Sequence, residues 1–210
     1  MNVLVTGGAG YVGSHAAKLL ASAGHEVWDY DNLVFGHRAA VAPGRLIEGD
    51  LLDRGKVEAV LREQRIDAVM HFAAFAYVGE SVTDPAKYYH NNVVGTLSLM
   101  EAMRAVGVSR IVFSSTCATY GEPEQVPTRE SQPQRPINPY GFTKLVVQHA
   151  LADYAHAYGG FQRTQTVFQF DADDGRTIST LDRSLVLRAV SSILTSEAAR
   201  KIESPAAPRL

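Results

Sequence analysis

The stretch MNVLVTGGAGYVGSHAAKLLASAGHEVWDYD, residues 1–31, decides the fold. Asn2 to Thr6 is a short apolar run rich in β-branched residues, the pattern of a buried strand. Gly7, Gly10 and Gly13 follow at three-residue spacing, and Val12, Ala16, Leu19 and Leu20 then recur with helical period. A second short strand, Glu26 to Tyr30, runs into Asp31. The pattern predicts a βαβ unit with a glycine-rich first turn. Glycines let the chain turn tightly and let the backbone from Gly7 through Gly10, Tyr11, Val12 and Gly13 approach a pyrophosphate. The helix that opens there aims its unpaired N–H groups and positive dipole end at that anion. Asp31 can accept a hydrogen bond from a ribose 2′-OH and would repel a 2′-phosphate, so the pattern favours NAD over NADP. A glycine triplet alone is weak evidence. A strand before it, a helix after it and an acid about 20 residues on make the signal specific.

Beyond this unit the chain alternates strands and helices. Asn32 to His37 is a loop placed for the adenine end of a dinucleotide. Arg45 to Asp50 reads as a third strand, with Asp50 and Leu51 flanking the adenine. Asp53 is an N-cap for a helix through Gln64. Asp67 to Phe72 is the fourth strand; after Phe72 come Ala73 and Ala74, small residues past which a cofactor can run close to the backbone. His71 reads as a packed core residue, since no second His or Cys stands at metal spacing from it. Asp84 and Pro85 cap and open a long helix to about Val106. Asn91 and Asn92 lie inside it at a cost in propensity, which points to a polar partner for at least one of them.

Ser109 to Ser114 is the fifth strand, tipped by Ser114, Ser115 and Thr116. In open parallel sheets, sites lie at the carboxyl ends of strands, so these hydroxyls share an edge with the glycine turn, Asp31 and Asp50. After a proline-rich loop, Asn138 to Lys144 opens a helix to about Tyr158. Tyr140 and Lys144 are four apart, hence on one helix face. The Lys144 ammonium is expected to stabilise a Tyr140 phenolate and lower its pKa, giving a base near neutral pH.

The chain has 210 residues, a formal net charge of −2 and one cysteine, Cys117. That length builds a sizeable core. The charge suggests neither nucleic acid nor an anionic membrane as partner. A single cysteine allows no internal disulfide and fits a reducing compartment. The first strand begins at residue 2, leaving no room for a signal peptide, and no apolar run is long enough for a bilayer. The expectation is a cytoplasmic α/β protein: a doubly wound, Rossmann-type parallel sheet over residues 1–175, then an atypical C-terminal helix and tail over 176–210.

With these residues in place, the chain resembles the extended short-chain dehydrogenase/reductase family, and within it the nucleotide-sugar 4-epimerases. The matching pieces are Thr6-Gly-Gly-Ala-Gly-Tyr-Val-Gly13, Tyr30-Asp-Asn-Leu33, Glu48-Gly-Asp-Leu51, His71-Phe-Ala-Ala74, Val78-Gly-Glu-Ser81, Tyr89-His-Asn-Asn92, Phe113-Ser-Ser-Thr116 and Asn138-Pro-Tyr-Gly-Phe-Thr-Lys144. They cover about residues 1–158. The resemblance implies NAD as cofactor and a UDP-hexose as substrate, with UDP-glucose and UDP-galactose interconverted by transient oxidation at C4. It implies that Tyr140 removes the 4-OH proton, that the C4 hydride passes to NAD⁺, and that the ketose turns and takes the hydride back on its other face. Thr116 would share a hydrogen bond with the reacting oxygen, and Lys144 would hold the nicotinamide ribose. Asn91 and Ser114 join the cofactor set. It also implies a homodimer through the helices at 84–106 and 140–158, with Leu97, Met100, Met103, Val146, Ala150 and Tyr154 at helical spacing.

Related 4,6-dehydratases place an acidic pair after this threonine; here Cys117-Ala118 follow, which removes the acid and base of that elimination. A lysine that many epimerases carry before Val-Gly-Glu-Ser is replaced by Ala76-Tyr77. After about Gly159 the chain departs from the family pattern. Thr164 to Asp171 alternates as a strand, Asp173-Asp174-Gly175 reads as a turn, and Thr180 to Ile202 as an amphipathic helix. The segment has no uridine-binding or diphosphate-binding motif, so the substrate lobe is largely missing. Two other activities stand beside the epimerase: a shortened, non-catalytic NAD-binding module, and another reaction of the same family on nucleotide sugars.

Overall fold

A computed structural model describes residues 1–125, 128–158 and 162–167, the last six as backbone. Six parallel strands form one sheet in the order β3-β2-β1-β4-β5-β6. They are β1 Asn2–Thr6, β2 Glu26–Asp31, β3 Leu46–Glu48, β4 Ala68–His71, β5 Arg110–Ser115 and β6 Gln162–Val167. The order reverses between β1 and β4, the switch point where doubly wound sheets bind ligands. Successive side chains on a strand point to opposite faces, and the two cores divide accordingly. Leu4 joins the cluster under α2 (Arg54–Glu63), α5 (Gly95–Val106) and α6 (Pro139–Tyr158), with Val57, Leu61, Leu99, Met103, Val147 and Leu151. Val3 and Val5 join the other, under α1 (Tyr11–Ser22), with Ala16, Leu20 and Val27. The near-continuous apolar run of β1 is what a strand covered on both faces requires.

The third strand is shorter than expected, so Asp50 lies in the turn beyond it, its Oδ1 accepting from Leu52 N at 2.9 Å. Asp53 caps α2, accepting from Lys56 N at 3.0 Å. The sixth strand begins two residues earlier than the alternation suggests, at Gln162, and pairs in parallel with β5 through Val167. The expected Asp171, the turn at 173–175 and the helix at 180–202 lie outside the described residues.

The long helix predicted from Asp84 to Val106 is present, but its hydrogen-bond pattern changes along the way. A separate helix, α3, spans Val78–Thr83, and α4 spans Pro85–Tyr88 with Asp84 as its N-cap. A π-helical turn, Tyr89–Val94, then leads into α5. Such turns are often found at functional sites. Within this turn Asn92 is buried. Its Oδ1 accepts from Phe75 N at 2.8 Å, and its Nδ2 donates to Phe75 O at 3.0 Å and to Thr143 Oγ1 at 3.2 Å. The amide thus ties α6 and the loop after β4 to one point. His71 is a core residue, as expected, with its ring nitrogens 2.7 Å from Thr6 Oγ1 and 2.8 Å from Thr96 Oγ1. Burial, and then Lys144, push it down to about 3, so it stays neutral.

Asn92→Ala deletes these bonds and leaves two backbone groups of Phe75 without partners. It should lower the unfolding free energy by about 2–4 kcal/mol in urea titration; a midpoint within error of wild type would show that the amide is not the tie.

Candidate active site

The glycine turn is built by close approach. Gly7 has φ of +73°, and a Cβ on it would lie 2.6 Å from Ala73 N. A Cβ on Gly13 would lie 2.2 Å from Gly7 O, so this third glycine packs the helix onto the turn. At the end of β2, the buried Asp31 carboxylate accepts from Ala9 N at 3.0 Å and from Leu33 N at 2.8 Å. One side chain therefore organises the glycine turn and the next loop together. Each carboxylate oxygen keeps a further lone pair for a ribose hydroxyl.

Above this turn lies an open cleft. The sequence-predicted Gly7, Gly10, Asp31, Asn32, Asp50, Leu51, Phe72, Ala73, Ala74 and Asn91 all line it. Asn32 and Asp50 fix each other, Asn32 Nδ2 donating to Asp50 Oδ2 at 3.0 Å. Tyr11 and Val12 open α1 at the turn and, like Gly13, are not among the lining residues. A methyl-free turn, a helix N-terminus and a strand-end carboxylate together fit the pyrophosphate and ribose of a dinucleotide. Sequence reading missed Tyr30, Phe35, Gly36, Gly49 and Phe75, which also line the cleft. Two of them sit where a side chain would collide: a Cβ on Gly36 would lie 2.6 Å from Asp31 Oδ1, and one on Gly49 would meet Tyr30 Oη.

The candidate catalytic groups gather where β5 ends and α6 begins. Asn138 caps α6 through Oδ1, accepting from Gly141 N at 2.8 Å. Ser81 Oγ accepts from Tyr140 N at 3.2 Å. Gly141 lets α6 close on the turn Cys117–Thr119, since a Cβ there would lie 2.5 Å from Ala118 O. This seating sets the Tyr140 phenol beside Thr116, whose hydroxyl acts to lower its pKa. Lys144 is buried one turn on, and its Nζ donates to Ser114 O at 2.9 Å and lies 4.8 Å from the centre of the Phe113 ring. Sequence reasoning did not find the buried amide chain behind them. Gln148 Nε2 donates to Ser115 Oγ, and Gln134 Nε2 donates to Gln148 Oε1 and to Thr119 Oγ1, each at 3.0 Å. This chain clamps the loop before α6 onto the end of β5.

The electrostatics correct one expectation. Tyr140 was expected to be held low by Lys144, but burial raises it, only partly offset by the Thr116 hydroxyl, and Cys117 raises it further. The Lys144 ammonium is committed to the Ser114 carbonyl, and desolvation pushes it down to about 7. A second unusual group lies under the glycine turn. Asp29 is buried with Oδ1 unpartnered among the described residues, against Gly8, and burial with neighbouring Asp31 pushes it up to about 7.

Comparison with known proteins places the chain. Residues 3–170 match the model of the NAD dependent epimerase/dehydratase family. The chain belongs to that family. The UDP-glucose 4-epimerase of Rhizobium meliloti (strain 1021) is 53% identical over 153 residues, which are 73% of this chain and 47% of that protein. The crystal structure of UDP-glucose 4-epimerase from Brucella ovis in complex with NAD is 54% identical, with a TM-score of 0.76 over 78% of this chain and 50% of the other. The Bifidobacterium longum UDP-glucose 4-epimerase, solved in complex with NAD⁺ and UDP, is 36% identical, with a TM-score of 0.76 over 79% and 52% of the two chains. This epimerase/dehydratase family member thus spans about half the length of the curated relatives it matches.

The two shifted groups set opposite pH slopes. Folded Asp29 binds more protons than the unfolded chain between its ordinary value of 3.8 and about 7, so its contribution to stability is lost as pH rises through that window. Folded Lys144 binds fewer protons between about 7 and 10.5, so its burial penalty is full below 7 and relieved as pH rises above it. In cofactor-free protein, the melting temperature of Asp29→Asn relative to wild type should rise from pH 4 to 7, against the background slope of His71, and that of Lys144→Met relative to wild type should fall from pH 7 to 10. Wild-type slopes retained in both variants would contradict these assignments.

Proposed function

We propose that this chain carries the cofactor-binding and proton-transfer machinery of an NAD-dependent nucleotide-sugar 4-epimerase, acting on UDP-glucose and UDP-galactose. The observation that supports it most is the placement of Tyr140 beside Thr116 and one turn from buried Lys144, on the same sheet edge as the glycine cleft. Gly7, Gly10, Gly13 and the start of α1 would hold the pyrophosphate. Asp31 would hold the adenine ribose, and Asp50 and Leu51 would flank the adenine. Bound there, NAD supplies a reversible acceptor for the hydride at sugar C4. Tyr140 would take the 4-OH proton and later return it. Thr116 would hold the same oxygen by a hydrogen bond, keeping it within reach of the phenol. Lys144 has a carbonyl partner in Ser114 and would exchange it for the nicotinamide ribose. Its charge, freed toward Tyr140, and that of the nicotinamide ring would both lower the phenol.

We also propose a homodimer through the π turn and α6, which pack together. Met100 and Met103, expected at that interface, are instead fully buried in this chain's own core. The exposed large apolar residues of these elements are Tyr89, Val94, Phe142 and Tyr158. Sedimentation should give a dimer, and a monomer at micromolar concentration would contradict it. No helix among the described residues is long and apolar enough to cross a membrane.

The test of the activity is conversion of UDP-galactose by the 210-residue chain supplied with NAD⁺. Tyr140→Phe should lower kcat by about 10²–10⁴-fold and Thr116→Ala by about a hundredfold, with NAD still bound. Retention of NAD without any epimerisation by the wild-type chain would overturn the epimerase reading and leave a cofactor-binding module.

A further inference from the structure

The loops that follow β2 and β4 rise on either side of the glycine turn, because those strands flank β1. Both loops touch the turn: His37 N donates to Ala9 O at 2.9 Å, and Ala73 N lies against Gly7. Phe35 of the first and Phe75 of the second line the cleft. Their rings meet edge to face, with centroids 5.4 Å apart and planes at 84°. That is the favoured geometry of an aromatic pair.

The two halves of the contact are anchored differently. Phe75 is fixed through its own backbone, whose N–H and carbonyl both bond to Asn92. Phe35 is seated by its neighbours, since Gly36 packs against Asp31 where a side chain would collide. Tyr77 adds a second edge contact to Phe35 at 5.2 Å. Lys87 Nζ, held 2.6 Å from Glu80, lies 4.9 Å from the Phe75 ring centre and 5.9 Å from that of Phe35. Phe35 nevertheless remains 47% exposed, a large apolar ring at the mouth of a cleft. Packing within the chain does not account for that exposure. A ligand lying in the cleft beneath the ring pair would cover it.

We propose that Phe35 and Phe75 are cofactor-retaining residues, whose ring contact spans the glycine turn and must open before a bound dinucleotide leaves. The inference rests on the reading of the cleft as a dinucleotide site. Its effect falls on dissociation, because a contact that closes over a bound ligand changes release more than encounter.

The experiment loads the 210-residue chain with NAD, removes free nucleotide by desalting and follows the nucleotide still bound over time. Phe35→Ala should release NAD about tenfold faster than wild type with a similar association rate, and Phe35→Tyr should restore slow release. Phe75→Leu, whose backbone tie to Asn92 is untouched, should match Phe35→Ala, and the double variant should be no faster than either single one. Release at the wild-type rate from folded Phe35→Ala and Phe75→Leu overturns the inference alone. A wild-type chain that takes up no NAD overturns both the inference and the reading of the cleft.

Discussion

The Asp31 carboxylate is the constraint on which the rest of the site depends. It ends β2, is buried, and spends its oxygens on the backbone of two different loops, at Ala9 and at Leu33. Those bonds set the height of the glycine turn over β1 and the direction in which the next loop leaves the sheet. Gly36 must then pass close to the same carboxylate, which carries Phe35 to the mouth of the cleft. A neutral or longer side chain at residue 31 would have to rebuild three neighbouring segments. The buried Asp29 two residues earlier, on the same side of the strand, makes this corner more acidic than a glycine turn requires.

Opposite this corner, the proposed proton-transfer groups Thr116, Tyr140 and Lys144 are positioned by polar ties in addition to the apolar packing of α6. Ser81, Asn92, Gln134 and Gln148 each bridge segments far apart in sequence, and together they set where α6 begins relative to β5. Buried polar ties of this kind cost stability when broken singly, because the abandoned partner stays buried. They fix position well, and position is a large part of what such a site contributes to a reaction.

Much of this was legible in the sequence because it depends on local pattern. The apolar run of β1, the glycine spacing and the acid at residue 31 specify the βαβ unit, and Asp53 and Asp84 mark helix starts through their own side chains. The matching segments lay in the family order, and ten of the predicted cofactor residues line one cleft. What was not legible depends on contacts between distant segments. The propensity cost of two asparagines inside a helix did point to a polar partner, but not that Asn92 would find it in Phe75 and Thr143 or that a π turn would form there. Helix α3 contains Gly79, Val82 and Thr83, all weak helix formers, and is fixed by packing against α6. The i, i+4 spacing of Tyr140 and Lys144 was read correctly as one face. It carried no information that the Ser114 carbonyl would take the ammonium and leave the phenol raised by burial.

The central claim is that residues 1–31 build a dinucleotide site whose selectivity comes from Asp31. Calorimetric titration of the cofactor-free chain with NAD and with NADP tests it most directly. NAD should bind more tightly than NADP by about tenfold or more, since a 2′-phosphate would face a buried carboxylate. Equal affinities, or a preference for NADP, would contradict the account at its foundation.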